Sequence, residues 1–195
     1  MLTHSMSEDT DEHLLYQARQ GNEHCFLALF ERHRDIVFRL AYRLTNEHVA
    51  EDITQDCFLG LLDGASLFDP AKGSLRTYLY GAVRNLARKH YWLHQGGVEL
   101  DDEGDDPLFA AEPIAARLLL QQETSELIHQ AIADLPLAQR EALVLFQYEE
   151  LSLDEIANVL AVDVGTVKSR LHRARKRLRK TLTPYFERSI IYEPK

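Results

Sequence analysis

The stretch Leu151–Lys180, "LSLDEIANVLAVDVGTVKSRLHRARKRLRK", decides how the rest of the chain is read. Ser152 followed three residues later by Glu155 is a capping box, in which each side chain accepts from the other residue's backbone N–H and so opens a helix. Ile156, Ala157 and Leu160 give that helix a buried face. After "AVD" a second helix is predicted, with Asp163 as its N-cap. On it Val167, Leu171, Ala174 and Leu178 recur at spacings of four, three and four, which is one apolar stripe. At about 100° per residue, Ser169, His172, Arg173 and Lys176 point away from that stripe. Two short helices joined by a tight turn, the second basic on its outer side, fit a helix-turn-helix. In that geometry the second helix enters the major groove. Its first side chains meet base edges, and Lys and Arg farther along meet phosphates.

The charge distribution supports this reading. Val164–Lys180 holds eight Lys or Arg residues and no acid, whereas the whole chain has 22 basic and 31 acidic residues and a net charge of −9. A solvated surface helix could also be this basic, but the capped helix and turn that precede it favour DNA. The acidic total excludes broad coating of nucleic acid and allows one local basic site.

Length and composition bound the rest. A chain of 195 residues with 45% apolar content suits one or two globular domains. It contains no apolar run of the roughly 20 residues that span a membrane, so no membrane insertion is expected. The opening "MLTHSMSEDTDEH" is polar and acidic, without the blocks of a secretory signal. Cys25 and Cys57 match no zinc or disulfide spacing and are read as reduced core thiols of a cytoplasmic protein. His24, His33, His48, His90 and His94 show no ligand spacing, so neither a metal nor a cofactor is expected.

Helical spacing dominates elsewhere, and the fold class expected is all-α, with two helical domains. Four helices fill the first half. The first runs from about Asp11 to Gly21, and the second, from Asn22, puts Phe26, Leu29, Phe30, Val37, Leu40 and Ala41 on one face. The third, "NEHVAEDITQDCFLGLLDG", begins at an Asn cap and stops at Gly64; the fourth begins after Gly73 with Ser74 as cap. Residues 96–118 then read as a flexible acidic linker, since Gly96–Ala116 carries seven acids, no base and two prolines. The remaining assignments are a disordered N-terminal extension over 1–14, a first domain over 15–95, a second over 119–182 and a tail over 183–195.

The motif "GTVKSRLHRAR" and its surroundings resemble region 4 of the extracytoplasmic-function (ECF) sigma factors of the sigma-70 family. "HVAEDITQDCFLGLL" resembles their region 2 polymerase-binding helix, and "GSLRTYLYGAVRNLARKHY" their promoter-melting, minus-ten-reading helix. The likeness covers roughly residues 15 to 182. It implies a subunit that binds core RNA polymerase through the beta-prime clamp and beta flap, directs it to promoter DNA and is held by an anti-sigma factor. It implies no catalytic residue, because polymerase does the bond-making. Residue by residue, it implies that Asp52, Gln55, Asp56 and Phe58 face the clamp. Thr166, Lys168, Ser169, Arg170, His172, Arg173, Lys176 and Arg177 would meet the minus-thirty-five element. Lys72, Arg76, Arg84, Asn85, Arg88 and Lys89 would contact the minus-ten strand, and the loop Phe68–Ser74 would hold a flipped base. Tyr78, Tyr80, Tyr91 and Trp92 are candidates for stacking on unpaired bases, although aromatic residues at helical spacing also build cores. Ala161 stands where many relatives have Gly in the turn, Tyr78 where many have Trp, and Pro70 and Lys72 alter the base-capture loop. Two other classes remain open from the residues alone: a stand-alone helix-turn-helix regulator, and a histidine-rich metal hydrolase.

Overall fold

The structure, a computed structural model, describes residues 9–63, 68–94 and 122–190. The expected linker therefore lies outside the described residues. Eight α-helices make up the described secondary structure, apart from one short 3-10 turn. The chain divides into two compact units, Met1–Gln95 and Gly96–Lys195.

The first unit contains α1 (Asp11–Arg19), α2 (Glu23–Leu44), α3 (Glu47–Asp63) and α4 (Leu75–His94). Each begins where the sequence supplies a cap. Thr10 accepts from the His13 N–H, Asn22 from the His24 and Cys25 N–H groups, Asn46 from that of Val49 and Ser74 from that of Thr77. Gly21 closes α1 at φ +90, a left-handed backbone that glycine adopts without strain. Helix α2 packs against the other three and carries the longest buried seam, Leu29, Val37, Leu40, Ala41 and Leu44. Phe26 and Phe30 on the same helix are half-buried and meet Phe58 edge-on, with ring centroids 6.5 and 4.9 Å away.

The extension over 1–14 ends too late. Asp11–Leu14 form the first turn of α1, with Leu14 fully buried. Asp11 is also the polar anchor of this helix. One carboxylate oxygen lies 2.6 Å from Arg32 Nη1 and the other 2.9 Å from the buried His33 Nε2. At the far end of α1, Arg19 donates through Nε and Nη2 to the Leu61 carbonyl at 3.1 and 2.9 Å. That carbonyl belongs to the last turn of α3, where such groups have no partner within the helix.

The second unit contains α5 (Gln122–Ala133), α6 (Leu137–Gln147), α7 (Leu153–Leu160) and α8 (Val164–Ile190). Helix α8 packs against the other three. Arg140 donates to the Ala133 carbonyl and, at 3.1 Å, to that of Leu135, closing the end of α5. The capping box is present in full: the Ser152 hydroxyl accepts from the Glu155 N–H, and the Glu155 carboxylate accepts from the Ser152 N–H at 2.8 Å. Val167, Leu171 and Ala174 are buried along α8, and Leu178 is half-buried as the stripe runs out. The helix does not stop near Leu182. It continues through Pro184 to Ile190, so the first eight residues of the expected tail are helical. Proline there forfeits one backbone bond, and it does so near the helix end, where few bonds follow.

The turn between α7 and α8 carries a strained residue. Ala161 sits at φ 53, ψ 46, in the left-handed region, and its N–H closes α7 on the Ala157 and Asn158 carbonyls. A Cβ in that conformation costs about 1–2 kcal/mol, a penalty that glycine avoids. Ala161→Gly is therefore expected to raise the thermal midpoint of the protein, by an amount equivalent to about 1 kcal/mol. Differential scanning calorimetry checks this, and an unchanged or lower midpoint would contradict it.

Candidate nucleic-acid and polymerase interfaces

With its apolar stripe turned inward, α8 presents the opposite side to solvent. Lys168, His172, Arg175, Lys176, Arg179 and Lys180 are exposed. Thr166, Ser169, Arg173 and Arg177 are half-buried along the edges of that face. Arg170 does not belong to it. Its side chain is only 6% exposed, so it cannot meet a base edge from the outer face. It lies three residues after Val167 and one before Leu171, at the margin of the arc that faces the core. Arg175, which the base-reading set omitted, is exposed and spreads its guanidinium over the Phe146 ring, 5.2 Å from the centroid.

The start of α8 is tied by side chains. Asp163 Oδ1 accepts from the Thr166 N–H at 2.8 Å, and Oδ2 accepts from the Thr166 hydroxyl at 2.7 Å. The Ser169 hydroxyl donates to the Thr166 carbonyl at 3.0 Å and accepts from Arg173 Nη2 at 3.4 Å. The two bonds from Thr166 hold the Asp163 carboxyl below its ordinary 3.8. A lowered value means that this cap is complete above about that pH and is lost as pH falls through the lowered one. Residue 165 must lack a side chain for this geometry, because a Cβ there would lie 2.8 Å from Asp163 Oδ1.

In the first unit α4 carries the residues expected at the minus-ten strand. Asn85 and Lys89 are exposed, and Arg84 and Arg88 are half-buried. Arg76 is exposed, but its Nε donates to the Tyr80 hydroxyl at 2.6 Å. Tyr80 is fully buried and so drops out as a stacking platform. Tyr78 and Tyr91 are half-buried, and Trp92 is exposed. The loop before α4 is ordered by its own residues. Asp69 accepts from the Ala71 N–H, Pro70–Lys72 form a 3-10 turn, and Gly73 takes φ +146, which suits glycine alone. Phe68 meets the Tyr78 ring edge-on at 5.7 Å, and Lys72 stands exposed beside Asp69.

On α3, Asp52, Gln55 and Asp56 are exposed together. Phe58 is not with them. It is 2% exposed and meets the Phe26 and Phe30 rings edge-on, so it is a core residue. The apolar member of the exposed face is its neighbour Leu59, 58% exposed. Positions 52, 55, 56 and 59 follow the three-and-four spacing of one helix face, a signal already present in the sequence. Among the described residues, no three His, Cys, Asp or Glu side chains gather as a metal ion would require. Among them, too, no helix is long and apolar enough to cross a membrane.

Two helical units, one ending in a helix-turn-helix with a basic outer face, define a DNA-binding protein of two-domain type. The comparisons then identify the family. Residues 29–94 match the model described as sigma-70 region 2, and residues 125–178 that described as sigma-70, region 4. The chain is 35% identical over 175 residues to the ECF RNA polymerase sigma factor SigW of Bacillus subtilis, covering 85% of this chain and 93% of that one. It is 27% identical to the ECF RNA polymerase sigma-E factor of Escherichia coli strain K12, covering 94% and 100%. Among solved structures, CnrH in complex with the cytosolic domain of CnrY aligns at TM-score 0.64 and 25% identity, over 90% of this chain and 99% of that one. The sigma factor RpoE of Bartonella quintana, solved with the anti-sigma factor NepR, shares the fold at TM-score 0.57 and 24% identity, over 79% and 94%. The chain belongs to the ECF RNA polymerase sigma factors.

Removing the Phe58 ring is expected to cost about 3–5 kcal/mol of folding stability. Asp52→Arg with Asp56→Arg, on an exposed face, should cost under about 0.5 kcal/mol each. Urea denaturation of the two variants separates the assignments. A Phe58→Ala protein as stable as the parent would return Phe58 to the surface.

Proposed function

We propose that this protein is the promoter-specificity subunit of a bacterial RNA polymerase, working in the cytoplasm without chemistry of its own. The observation that carries the reading is the presence, in one chain, of a region 2 match and a region 4 match, with the second ending in an outward basic helix. A stand-alone regulator would need the helix-turn-helix and has no use for the first match.

In this reading residues up to 95 form the polymerase-docking and minus-ten domain, and residues 119–182 the minus-thirty-five domain. The face of α3 made by Asp52, Gln55, Asp56 and Leu59 docks on the beta-prime clamp, with Leu59 in place of Phe58. The second domain meets the beta flap. On α4, Arg76, Arg84, Asn85, Arg88 and Lys89 take the minus-ten strand, joined by Lys72 from the preceding loop, where a flipped base is received. Melting leaves unpaired bases, and stacking on Tyr78, Tyr91 or Trp92 offsets that cost by about 1–3 kcal/mol per base. On α8, Thr166, Lys168, Ser169, His172 and Arg173 read base edges, while Arg175, Lys176, Arg177 and Lys180 hold phosphates. An anti-sigma factor is the partner that keeps these surfaces from polymerase until a signal releases them.

Capture of core polymerase by the tagged protein, followed by run-off transcription from a matched promoter, tests the reading as a whole. Transcription should depend on the added chain; tight, specific duplex binding without polymerase, by a dimer at a palindrome, would overturn it. Asp52→Arg with Asp56→Arg, and separately Leu59→Arg, should reduce capture of polymerase without lowering the melting temperature. On the DNA side, Arg173→Ala should cost roughly 1–3 kcal/mol on the matched minus-thirty-five element and little on a scrambled one. Neutralising Lys176, Arg177 or Lys180 should weaken both alike and lower the salt slope by about one unit.

A further inference from the structure

The hydrogen bonds at the start of α8 restrict what its hydroxyls can read. A threonine or serine hydroxyl has one proton to give and two lone pairs that accept. At Thr166 the proton is committed, because the hydroxyl donates to Asp163 Oδ2 at 2.7 Å. An ionised carboxylate accepts only, so the direction of this bond cannot reverse. Asp163 is ionised at neutral pH like any exposed aspartate, and the two hydrogen bonds from Thr166 hold its carboxyl lower still. Ser169 has likewise given its proton, to the Thr166 carbonyl, and accepts from Arg173 with one of its two lone pairs. What the first turn of the helix offers to a base through Thr166 is therefore a pair of oriented lone pairs and no proton.

We propose that Asp163 is a specificity-determining positioning residue, which locks the Thr166 hydroxyl as an acceptor so that it selects a base carrying an exocyclic amino group in the major groove. This rests on the reading of α8 as the minus-thirty-five helix. In that groove only cytosine N4 and adenine N6 supply such a donor; guanine O6 and N7 and thymine O4 are acceptors, which Thr166 would face with lone pair against lone pair. Gly165 is part of the device, since a side chain there would press on the Asp163 carboxylate from 2.8 Å. Asp163 itself need touch no base.

The test uses Asp163→Asn. Asparagine caps a helix about as well as aspartate, so α8 keeps its start. Its amide, however, presents an NH2 group where Oδ2 stood, and that group donates to the Thr166 oxygen and frees the hydroxyl proton. Thr166→Val removes the hydroxyl and keeps the shape. Holoenzyme made with the parent, Asp163→Asn, Thr166→Val, the double variant and Arg173→Ala is assayed for binding on minus-thirty-five elements carrying each of the four bases at every position.

The expected result is a change confined to one base step. The parent prefers cytosine or adenine there by roughly 3- to 10-fold, the scale of one neutral hydrogen bond. Asp163→Asn shifts that step toward guanine or thymine, Thr166→Val flattens it, and the double variant matches Thr166→Val alone. A uniform gain across all elements in Asp163→Asn reports only the lost negative charge, and if it is the sole change the proposal is wrong. So is a base preference unchanged in Asp163→Asn while Arg173→Ala relaxes its own step, a result that leaves base reading by α8 standing. If Arg173→Ala and Thr166→Val also change no base preference, base reading by α8 itself fails, and the proposal with it.

Discussion

The burial of Val167, Leu171 and Ala174 against the second unit's other helices is the constraint from which the rest of the DNA-facing geometry follows. A helix has only one rotation about its axis that hides those three side chains. Once it is adopted, Lys168, His172 and Lys176 must face water, and α7 must approach at the angle that the Ala161 turn allows. Val167 and Leu171 each contribute on the order of 1.5–3 kcal/mol and the Ala174 methyl less, together far more than exposed charges contribute to folding. The basic face is thus oriented by apolar packing on its other side. The charges of Lys168 and Lys176 take no part in that packing.

That separation of tasks recurs in the first unit. Leu79, Tyr80, Val83 and Ala87 anchor α4 in the core, and Asn85 and Lys89 are carried outward as a consequence. On α3, Ile53, Cys57, Phe58 and Leu61 face in, while Asp52, Gln55, Asp56 and Leu59 face out. Burial pushes the Cys57 thiol up to about 12, so it behaves as an apolar packing group and not as a thiolate. Both surfaces are therefore built on helices whose position does not depend on the charges they display.

Much of this was legible in the sequence because caps and apolar periodicity act locally. Asn22, Asn46, Ser74, Ser152 and Asp163 each begin a helix where their types and spacing said one should begin. The two residues misplaced, Phe58 and Arg170, failed for the same reason. Each lies at the margin of an apolar arc, where a rotation of one residue, about 100°, decides between core and solvent. Local pattern leaves that phase loose, and packing against several other helices settles it. The family's motif pulled both residues outward, whereas neighbouring side chains such as Phe26 and Phe30 close over Phe58. The start of α1 was legible at Asp11, but the first domain was begun at residue 15, because Asp11 and Leu14 are held by partners on α2 and in the core, far along the chain. The direction of the Thr166 proton had no sequence signature at all, since it depends on where the Asp163 oxygens come to rest.

Helix α1 lies wholly before residue 29, where the match to sigma-70 region 2 begins. Yet it is riveted at both ends: Asp11 holds α2 through Arg32 and His33, and Arg19 holds the Leu61 carbonyl in the last turn of α3. It works as a brace across the two helices, with Leu14, Leu15 and Ala18 as the filling beneath it. A fragment trimmed to the recognisable family boundary would discard this brace, uncover the seam it seals and leave the α3 terminus without its guanidinium cap. The packed unit is thus longer than the stretch that matches sigma-70 region 2.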